Sequence, residues 1–342
     1  MNKRPITIKD IAKKLGVSPS TVSRAIHDHP DLNPDTKKRI CKLVDQLGYR
    51  PNSIAQSLSR KYSNVIGVQV PEIKRNFFAS VISGIENVAY DEGYTIITCQ
   101  SNENYEREII NLQSMVSHQV AGIIISISQM TRNSDYFKSL MEHQMPLVFF
   151  DRVLNDLDTD KVVVDDFDGA FQLVSHLIEA GYKRIAHIAG PEIISISENR
   201  LLGYLEALKI YNLPVNQDYI IRGGFQEEAG YDCFKKLLEL EEKPDAVFTV
   251  NAPVAAGVYK RSAEIGLKIP DDIAVAGFSD NTLSAWLIPQ MTTAVQPGFE
   301  MGTKAIKILL DRIKDKNEKI EPITEVLKTE LLIRGSTVKN KL

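Results

Sequence analysis

The feature that most constrains this chain is the punctuation at its N-terminal end, where short helices carry their own start and stop signals. Thr7-Ile8-Lys9-Asp10 has the form of a capping box, with Thr7 closing a helix N-terminus and Asp10 reaching back. Ile8, Ile11, Ala12 and Leu15 make an apolar stripe at helical spacing, and Gly16 stands where a helix stops in the left-handed conformation. Ser18 is placed to cap a second helix, with Pro19 at its first position, where a missing N–H costs nothing. Val22, Ala25 and Ile26 fall on its inner face. Ser20, Thr21, Ser23, Arg24 and His27 point outward. Two short helices joined by a tight turn, the second polar and cationic outside, describe a helix-turn-helix.

A third helix is predicted after Asn33 as cap and Pro34 as first residue, with Ile40, Leu43, Val44 and Leu47 inside and Gly48 as its stop. The run from Tyr49 to Lys61 can form about two helical turns, too short to stand alone in water. A segment that is helical only with a partner is a candidate switch.

Charge divides the chain at the same place. Residues 1–61 hold 13 Lys and Arg against 5 Asp and Glu, a net of +8. The remainder holds 28 against 39, a net of -11, so the overall -3 conceals a basic head on an acidic body. That asymmetry suits a head that meets phosphates while the body stays off the duplex. At 342 residues and 43% hydrophobic, the chain can bury a large core in more than one domain. Its cysteines, Cys41, Cys99 and Cys233, are odd in number and unpaired in spacing, which argues for a reducing compartment and against disulfides or zinc. Cys41 and Cys99 fall in apolar patterns expected of the core. No apolar signal region opens the sequence and no run is long enough to span a bilayer, so a cytoplasmic protein is expected.

Beyond Lys61, short β-rich runs alternate with amphipathic helical stretches. Strands are expected at 65–70, 94–99, 122–127, 147–150 and 161–164, then at 184–189, 219–222, 246–250 and 273–277. Helices are expected at 79–92, 107–118, 169–180 and 253–265. The alternation implies parallel sheets flanked by helices, built twice, with a ligand crevice at the strand C-termini. Asp151 and Arg152 follow one such strand. They could fix hydroxyls or an acidic group, or simply close a loop as a pair. Asn251 and Asp280, short polar residues after two other strands, are suited to hydrogen bonding a ligand.

The order Ile-Lys-Asp-Ile-Ala-Lys-Lys-Leu-Gly-Val-Ser-Pro-Ser-Thr-Val-Ser-Arg-Ala-Ile from Ile8 to Ile26, then Gly48-Tyr49-Arg50-Pro51-Asn52-Ser53-Ile54-Ala55-Gln56-Ser57-Leu58, resembles the lactose/galactose repressor (LacI/GalR) family of bacterial transcriptional regulators. The resemblance continues through the rest of the chain. It implies a helix-turn-helix headpiece over 1–50, a hinge helix over 51–61, and an effector-binding and dimerisation core over 62–342. That core would be a pair of doubly wound parallel sheets like those of periplasmic sugar-binding proteins, the chain crossing between lobes three times. The first lobe would take 62–163 and 295–324, and the second 164–294 and 325–342. The last helix, 300–314, would return to the first lobe, the strand around 325–333 would belong to the second, and Pro289 to Pro297 would form the final crossover.

The same resemblance implies a homodimer on near-palindromic double-stranded operator DNA. Thr7, Ser18, Pro19, Ser20, Thr21, Ser23, Arg24 and His27 would face the DNA, with Ser20 and Arg24 reading bases. Asn52, Ala55, Gln56 and Leu58 of the hinge would fold in the minor groove, Leu58 as a wedge. It also places Arg200 at the family's effector-contacting arginine, near a helix start, where a cation opposes the dipole and a carboxylate or ligand partner is expected. Phe225, an aromatic on a loop, stands where an aromatic stacks on sugar, with a buried lid residue as the alternative, and Phe77 and Phe78 resemble a pocket wall, although Phe78 could equally be core. The chain departs from the family at Ala252, where Asp is common, and at Ser279, where an acid often stands. Losing two carboxylates suits an anionic ligand such as a sugar acid or phosphosugar.

No phosphate-cradling loop, dinucleotide glycine fingerprint, serine elbow or metal-like histidine spacing occurs in the sequence. No enzyme activity, cofactor or metal is expected. The reading is a repressor of carbohydrate-use genes controlled by a sugar or sugar derivative. A corepressor-dependent regulator with a purine-like ligand is the alternative within the class. A sugar-binding transport protein is the alternative outside it, disfavoured by the headpiece.

Overall fold

The computed structural model of the chain describes residues 6–26, 31–49, 63–279, 282–314 and 321–339. It divides between Ser63 and Asn64 into two compact units. In the first, α1 (Ile8–Leu15), α2 (Pro19–Ile26) and α3 (Pro34–Leu47) enclose Ile11, Ala12, Val22, Ala25 and Ile40. The expected punctuation is all present. Thr7 and Asp10 exchange the two bonds of a capping box, at 2.8 and 3.3 Å. The Asn33 side chain accepts from Asp35 and Thr36, and Gly16 and Gly48 end their helices at φ 65° and 58°. Ile26, expected inside, is half-buried.

The second unit holds two sheets of the same plan. Strands β1 (Val65–Val70), β2 (Thr95–Gln100), β3 (Gly122–Ile125), β4 (Leu147–Phe150), β5 (Asp160–Val164) and β11 (Thr324–Leu327) form the first, in the order β11-β5-β4-β3-β1-β2, all parallel. Strands β6 (Ile185–Ala189), β7 (Ile220–Arg222), β8 (Ala246–Thr249), β9 (Ala274–Ser279), β10 (Thr292–Val295) and β12 (Glu330–Leu332) form the second, in the order β12-β10-β9-β8-β6-β7. Only β12 runs antiparallel in it. The near-continuous apolar strands, such as Leu147 to Phe150, are what a sheet covered on both faces requires.

The covering helices of the first sheet are α4 (Asn76–Asp91), α5 (Tyr105–Ser117), α6 (Asp135–Glu142) and α12 (Gly298–Lys314). Those of the second are α7 (Asp166–Glu179), α8 (Ser195–Ile210), α9 (Glu227–Leu238), α10 (Ala252–Glu264) and the short α11 (Thr282–Trp286). Helices α4 and α12 pack in backbone contact. A Cβ on Gly302 would lie 2.0 Å from the Val81 carbonyl, and one on Gly84 would lie 2.2 Å from that of Phe299. Helix α12 thus packs on the first lobe.

The chain passes between the sheets after β5, after β10 and after β11. The last passage corrects the sequence reading. Residues 324–327 pair in parallel with β5 of the first lobe rather than joining the second. A run without Gly or Pro between Thr324 and Leu332 reads as one strand, but it changes sheets at Lys328-Thr329. There the Asp165 N–H donates to the Leu327 carbonyl at 2.8 Å, tying two crossings together. Cys41 and Cys99, expected in the core, are half-buried, and Cys233 is the buried one.

Candidate DNA-binding helix and ligand cleft

Helix α2 keeps Val22 and Ala25 inside, which turns Ser18, Pro19, Ser20 and Arg24 to solvent. Thr7, Thr21 and Ser23 are half-buried. The Ser18 hydroxyl accepts from the Thr21 N–H at 3.1 Å and bonds the hydroxyls of Ser20 and Thr21 at 2.7 and 2.8 Å. Ser18 is therefore a helix cap as well as an exposed polar group. His27, Asn52, Ala55, Gln56, Leu58 and Asp280 lie outside the described residues.

In the second unit, loops following the C-terminal ends of strands from both sheets line one cleft of about 440 Å³. Helix N-termini converge there because each strand of a doubly wound sheet delivers its chain into a helix. Of the residues singled out in sequence, Phe77, Phe78, Asp151, Arg152, Arg200, Phe225, Asn251 and Ser279 all line it. A volume in the range of about 300–1,000 Å³ is usual for small-molecule sites.

The local arrangement differs from the sequence expectation at several of these residues. Arg152 takes Glu103 as its main partner, with Nη1 donating to both carboxylate oxygens at 2.9 Å, while Asp151 stands 3.9 Å from Nε. Its guanidinium lies 4.3 Å from the centroid of Phe225, which belongs to the other lobe. Phe225 is consequently not an open platform. Its ring is wholly buried, with Arg152 over it and Gly190 behind it, where a Cβ would come within 2.7 Å of the ring.

Arg200 stands in the second turn of α8 rather than at its start, so the helix-dipole argument for it does not apply. Burial accounts for its pairing instead. Nε donates to Asp166 Oδ1 at 2.8 Å, Nη2 lies 2.6 Å from the same oxygen, and Nη1 donates to the Val250 carbonyl. The guanidinium sits 3.7 Å from the Phe278 centroid. Asn251 has both ends engaged. Its Oδ1 accepts from Val254 N at 2.9 Å as the cap of α10, and its Nδ2 donates to the Phe225 carbonyl at 3.2 Å.

Electrostatics concentrate on Asp151. Burial raises its carboxyl pKa against the opposing pull of Arg152, Arg200 and Arg75. Burial likewise pushes Asp166 up to about 6, although Arg200 favours its charged form. Asp151 and Glu103 also hold left-handed φ values of 57° and 56°, conformations that non-glycine residues seldom adopt and that cluster at binding sites.

Sequence reasoning missed Arg75, Glu72, Glu103, Asp166 and Phe278. Arg75, just before α4, pairs with Glu72 at 2.6 Å. Each follows a strand within a few residues except Phe278, which sits inside β9, so strand-end position alone could have nominated the others. Among the described residues, no group of three or more His, Cys, Asp or Glu could hold a metal ion, and no helix is long and apolar enough to cross a membrane.

A helix-turn-helix unit followed by a two-lobed ligand-binding core defines a DNA-binding transcriptional regulator. Residues 7–52 match the bacterial regulatory proteins of the lacI family, and residues 174–337 match the periplasmic binding protein-like domain. Catabolite control protein A of Priestia megaterium is 34% identical over 305 residues, 89% of this chain and 91% of that protein. The transcriptional repressor CytR of Escherichia coli K12 is 34% identical over 97% of this chain and 96% of its own. The fold is that of the lac repressor dimer bound to operator and anti-inducer, with a TM-score of 0.85 at 24% identity, covering 98% of this chain and all of that one. A CelR–cellobiose complex superposes with a TM-score of 0.73 at 27% identity, over 97% of this chain and all of that chain. The chain belongs to the LacI family of bacterial transcriptional regulators, which are not enzymes.

Proposed function

We propose that this regulator is a repressor of carbohydrate-use genes whose operator affinity is set by a sugar or sugar derivative bound between the two lobes. Ser20 and Arg24 on α2 read base edges in the major groove of a near-palindromic operator, with Ser18, Pro19, Thr21, Ser23, Thr7 and His27 completing the contact. A homodimer presents two such helices. The hinge residues Asn52, Ala55, Gln56 and Leu58 fold in the central minor groove, and ligand binding changes the spacing of the two hinge origins.

The observation that carries the ligand half is the cleft itself. Asp151, Arg152, Arg200, Asn251 and Ser279 converge on it from both lobes among aromatic residues. That combination of several convergent hydrogen-bonding groups in one cleft suits polyhydroxylated rings. The structure of a LacI-family regulator from Enterococcus faecium holds ribose, at 28% identity and a TM-score of 0.71, over 81% of this chain and all of that one. A purine ligand needs a ring face for stacking, and Phe225 and Phe278 are each faced by a guanidinium.

The test is anisotropy of the full-length protein on labelled DNA from upstream of its own gene and its neighbours, with and without sugars. Specific binding released by a sugar is expected. Binding strengthened by a purine and unaffected by sugars would overturn the reading in favour of corepression.

A further inference from the structure

We propose that the ligand of this cleft is a sugar derivative bearing an oxyanion, a carboxylate or a phosphate ester, held by Arg75 and Arg152, with Arg200 adding its charge. The inference deepens the carbohydrate reading and rests on it. Three observations carry it.

The first is unspent hydrogen bonding. Arg152 is only 2% exposed, yet its Nε has no acceptor, and the nearest carboxylate oxygen, on Asp151, is 3.9 Å away. Glu103 is served by Nη1 alone, so the Nε–Nη2 edge that grips an oxyanion with two parallel bonds is not used by it. Arg75 repeats the pattern. Its Nε serves Glu72, while its buried Nη2 finds no acceptor and lies 4.0 Å from Glu103. Buried donors without acceptors are rare and costly in folded proteins, and two of them on one cleft call for an acceptor-rich ligand group.

The second is the loss of the aromatic platforms. A neutral sugar ring presents its C–H face to an arene, but Phe225 and Phe278 are each faced by a guanidinium, at 4.3 and 3.7 Å from Arg152 and Arg200. Stacking on the rings also fixes the guanidinium planes, which lowers the entropy lost when they grip a planar anion.

The third is the order of charges. Lys74, Arg75, Arg152 and Arg200 line the cleft, whereas Glu72, Glu103 and Asp166 stand outside its lining and orient the arginines from behind. Inside, the carboxylate facing the three arginines is Asp151. Glu227 and Glu228 lie on the exposed rim, with Glu227 paired to Lys260 at 3.0 Å. The carboxylates behind balance the three guanidiniums, so the cleft's capacity for an anion lies in the donors that face it and not in a surplus of charge.

The experiment presents the full-length protein with equimolar pools of D-glucose, D-galactose and D-mannose, of the matching uronates, and of the matching 6-phosphates. Retained members are identified by native mass spectrometry and titrated by calorimetry. An acidic member binding more tightly than its neutral parent by about tenfold or more is expected, in line with charge-assisted bidentate recognition. Retention from the uronate or the phosphate pool tells which oxyanion is read. Retention of neutral sugars alone overturns this inference and leaves the carbohydrate reading standing. Retention of nothing overturns both. For the residue assignment, Arg152→Lys keeps the charge and loses the planar fork, and Arg75→Gln alters the less deeply buried partner. Both should weaken the acid by about tenfold or more, and by a larger factor than they weaken its neutral parent. Unchanged acid affinity in both would overturn the assignment.

Discussion

The headpiece and the cleft are held together by different kinds of partner. In the headpiece the decisive bonds are local. Thr7 pairs with Asp10 and Ser18 with Thr21, each three residues apart. In the cleft they are distant. Arg200 meets Asp166 across 34 positions and the Val250 carbonyl across 50, and Arg152 meets Glu103 across 49. Local caps each contribute about 1 kcal/mol and fail one at a time. Distant buried charges are coupled, because removing one leaves its partner desolvated and alone. The core should therefore break by large steps and the headpiece by small ones.

The largest step is expected at Asp166→Ala. Arg200 is 1% exposed, and without Asp166 its charge keeps a backbone carbonyl, the face of Phe278 and the Coulombic pull of Asp151, but no paired carboxylate. Breaking a buried ion pair from one side costs about 3–5 kcal/mol. Urea unfolding of the full chain should show this as a lower midpoint for the core transition. A loss under 1 kcal/mol would mean that distance in sequence carries no special weight here.

Glu108 sharpens the contrast through pH. Its carboxylate accepts from Thr131 Oγ1 and the Ser128 N–H, both at 2.7 Å. Burial, with Glu103 adding to it, pushes its pKa from 4.5 up to about 7, although Thr131, Ser128 and Arg152 favour the charged form. The folded state therefore binds more protons than the unfolded state between those values. The group's favourable contribution is full below about pH 4.5 and is lost as pH rises through about 7, by at most about 3 kcal/mol. Glu108→Gln removes the titration while keeping an acceptor for Ser128. Its melting temperature relative to wild type should rise between pH 5 and pH 8; a constant difference would mean that Glu108 is charged throughout.

The contact between lobes is weaker. Arg152 over Phe225 should couple by about 1–2 kcal/mol for a desolvated cation–π pair. A double-mutant cycle of Arg152→Met and Phe225→Leu isolates that coupling from the separate loss of packing. A zero coupling energy would reduce the ring to filler.

The same division explains what could be read from the residues. The three headpiece helices, their caps and their stops were legible because cause and effect lie within one turn. Alternating apolar runs likewise exposed the two sheets, strand ends nominated Asp151, Arg152 and Asn251, and Ser279 came only from the family resemblance. The pairings were not legible. Nothing local connects Arg152 to Glu103 or Arg200 to Asp166, since only the strand order brings those loops together. Phe225 read equally as a platform or as a buried lid, because its cover arrives from the other lobe. The split at Lys328-Thr329 was hidden for a related reason. A β-run shows its period and not the sheet it joins.

The smallest step belongs to Ser18, where two roles can be separated. Ser18→Ala removes the acceptor for the Thr21 N–H and should destabilise α2 by about 1 kcal/mol, seen as faster amide exchange at its first turn. Ser18→Asp restores a good cap, so exchange should return to the wild-type rate or slower. On DNA the two variants should diverge. Aspartate places a negative charge on an exposed position of the helix assigned to the major groove, against phosphates, so its operator affinity should fall well below that of the alanine variant and fall more steeply at low salt. If aspartate restores both the cap and DNA binding, the exposed start of α2 does not face the duplex.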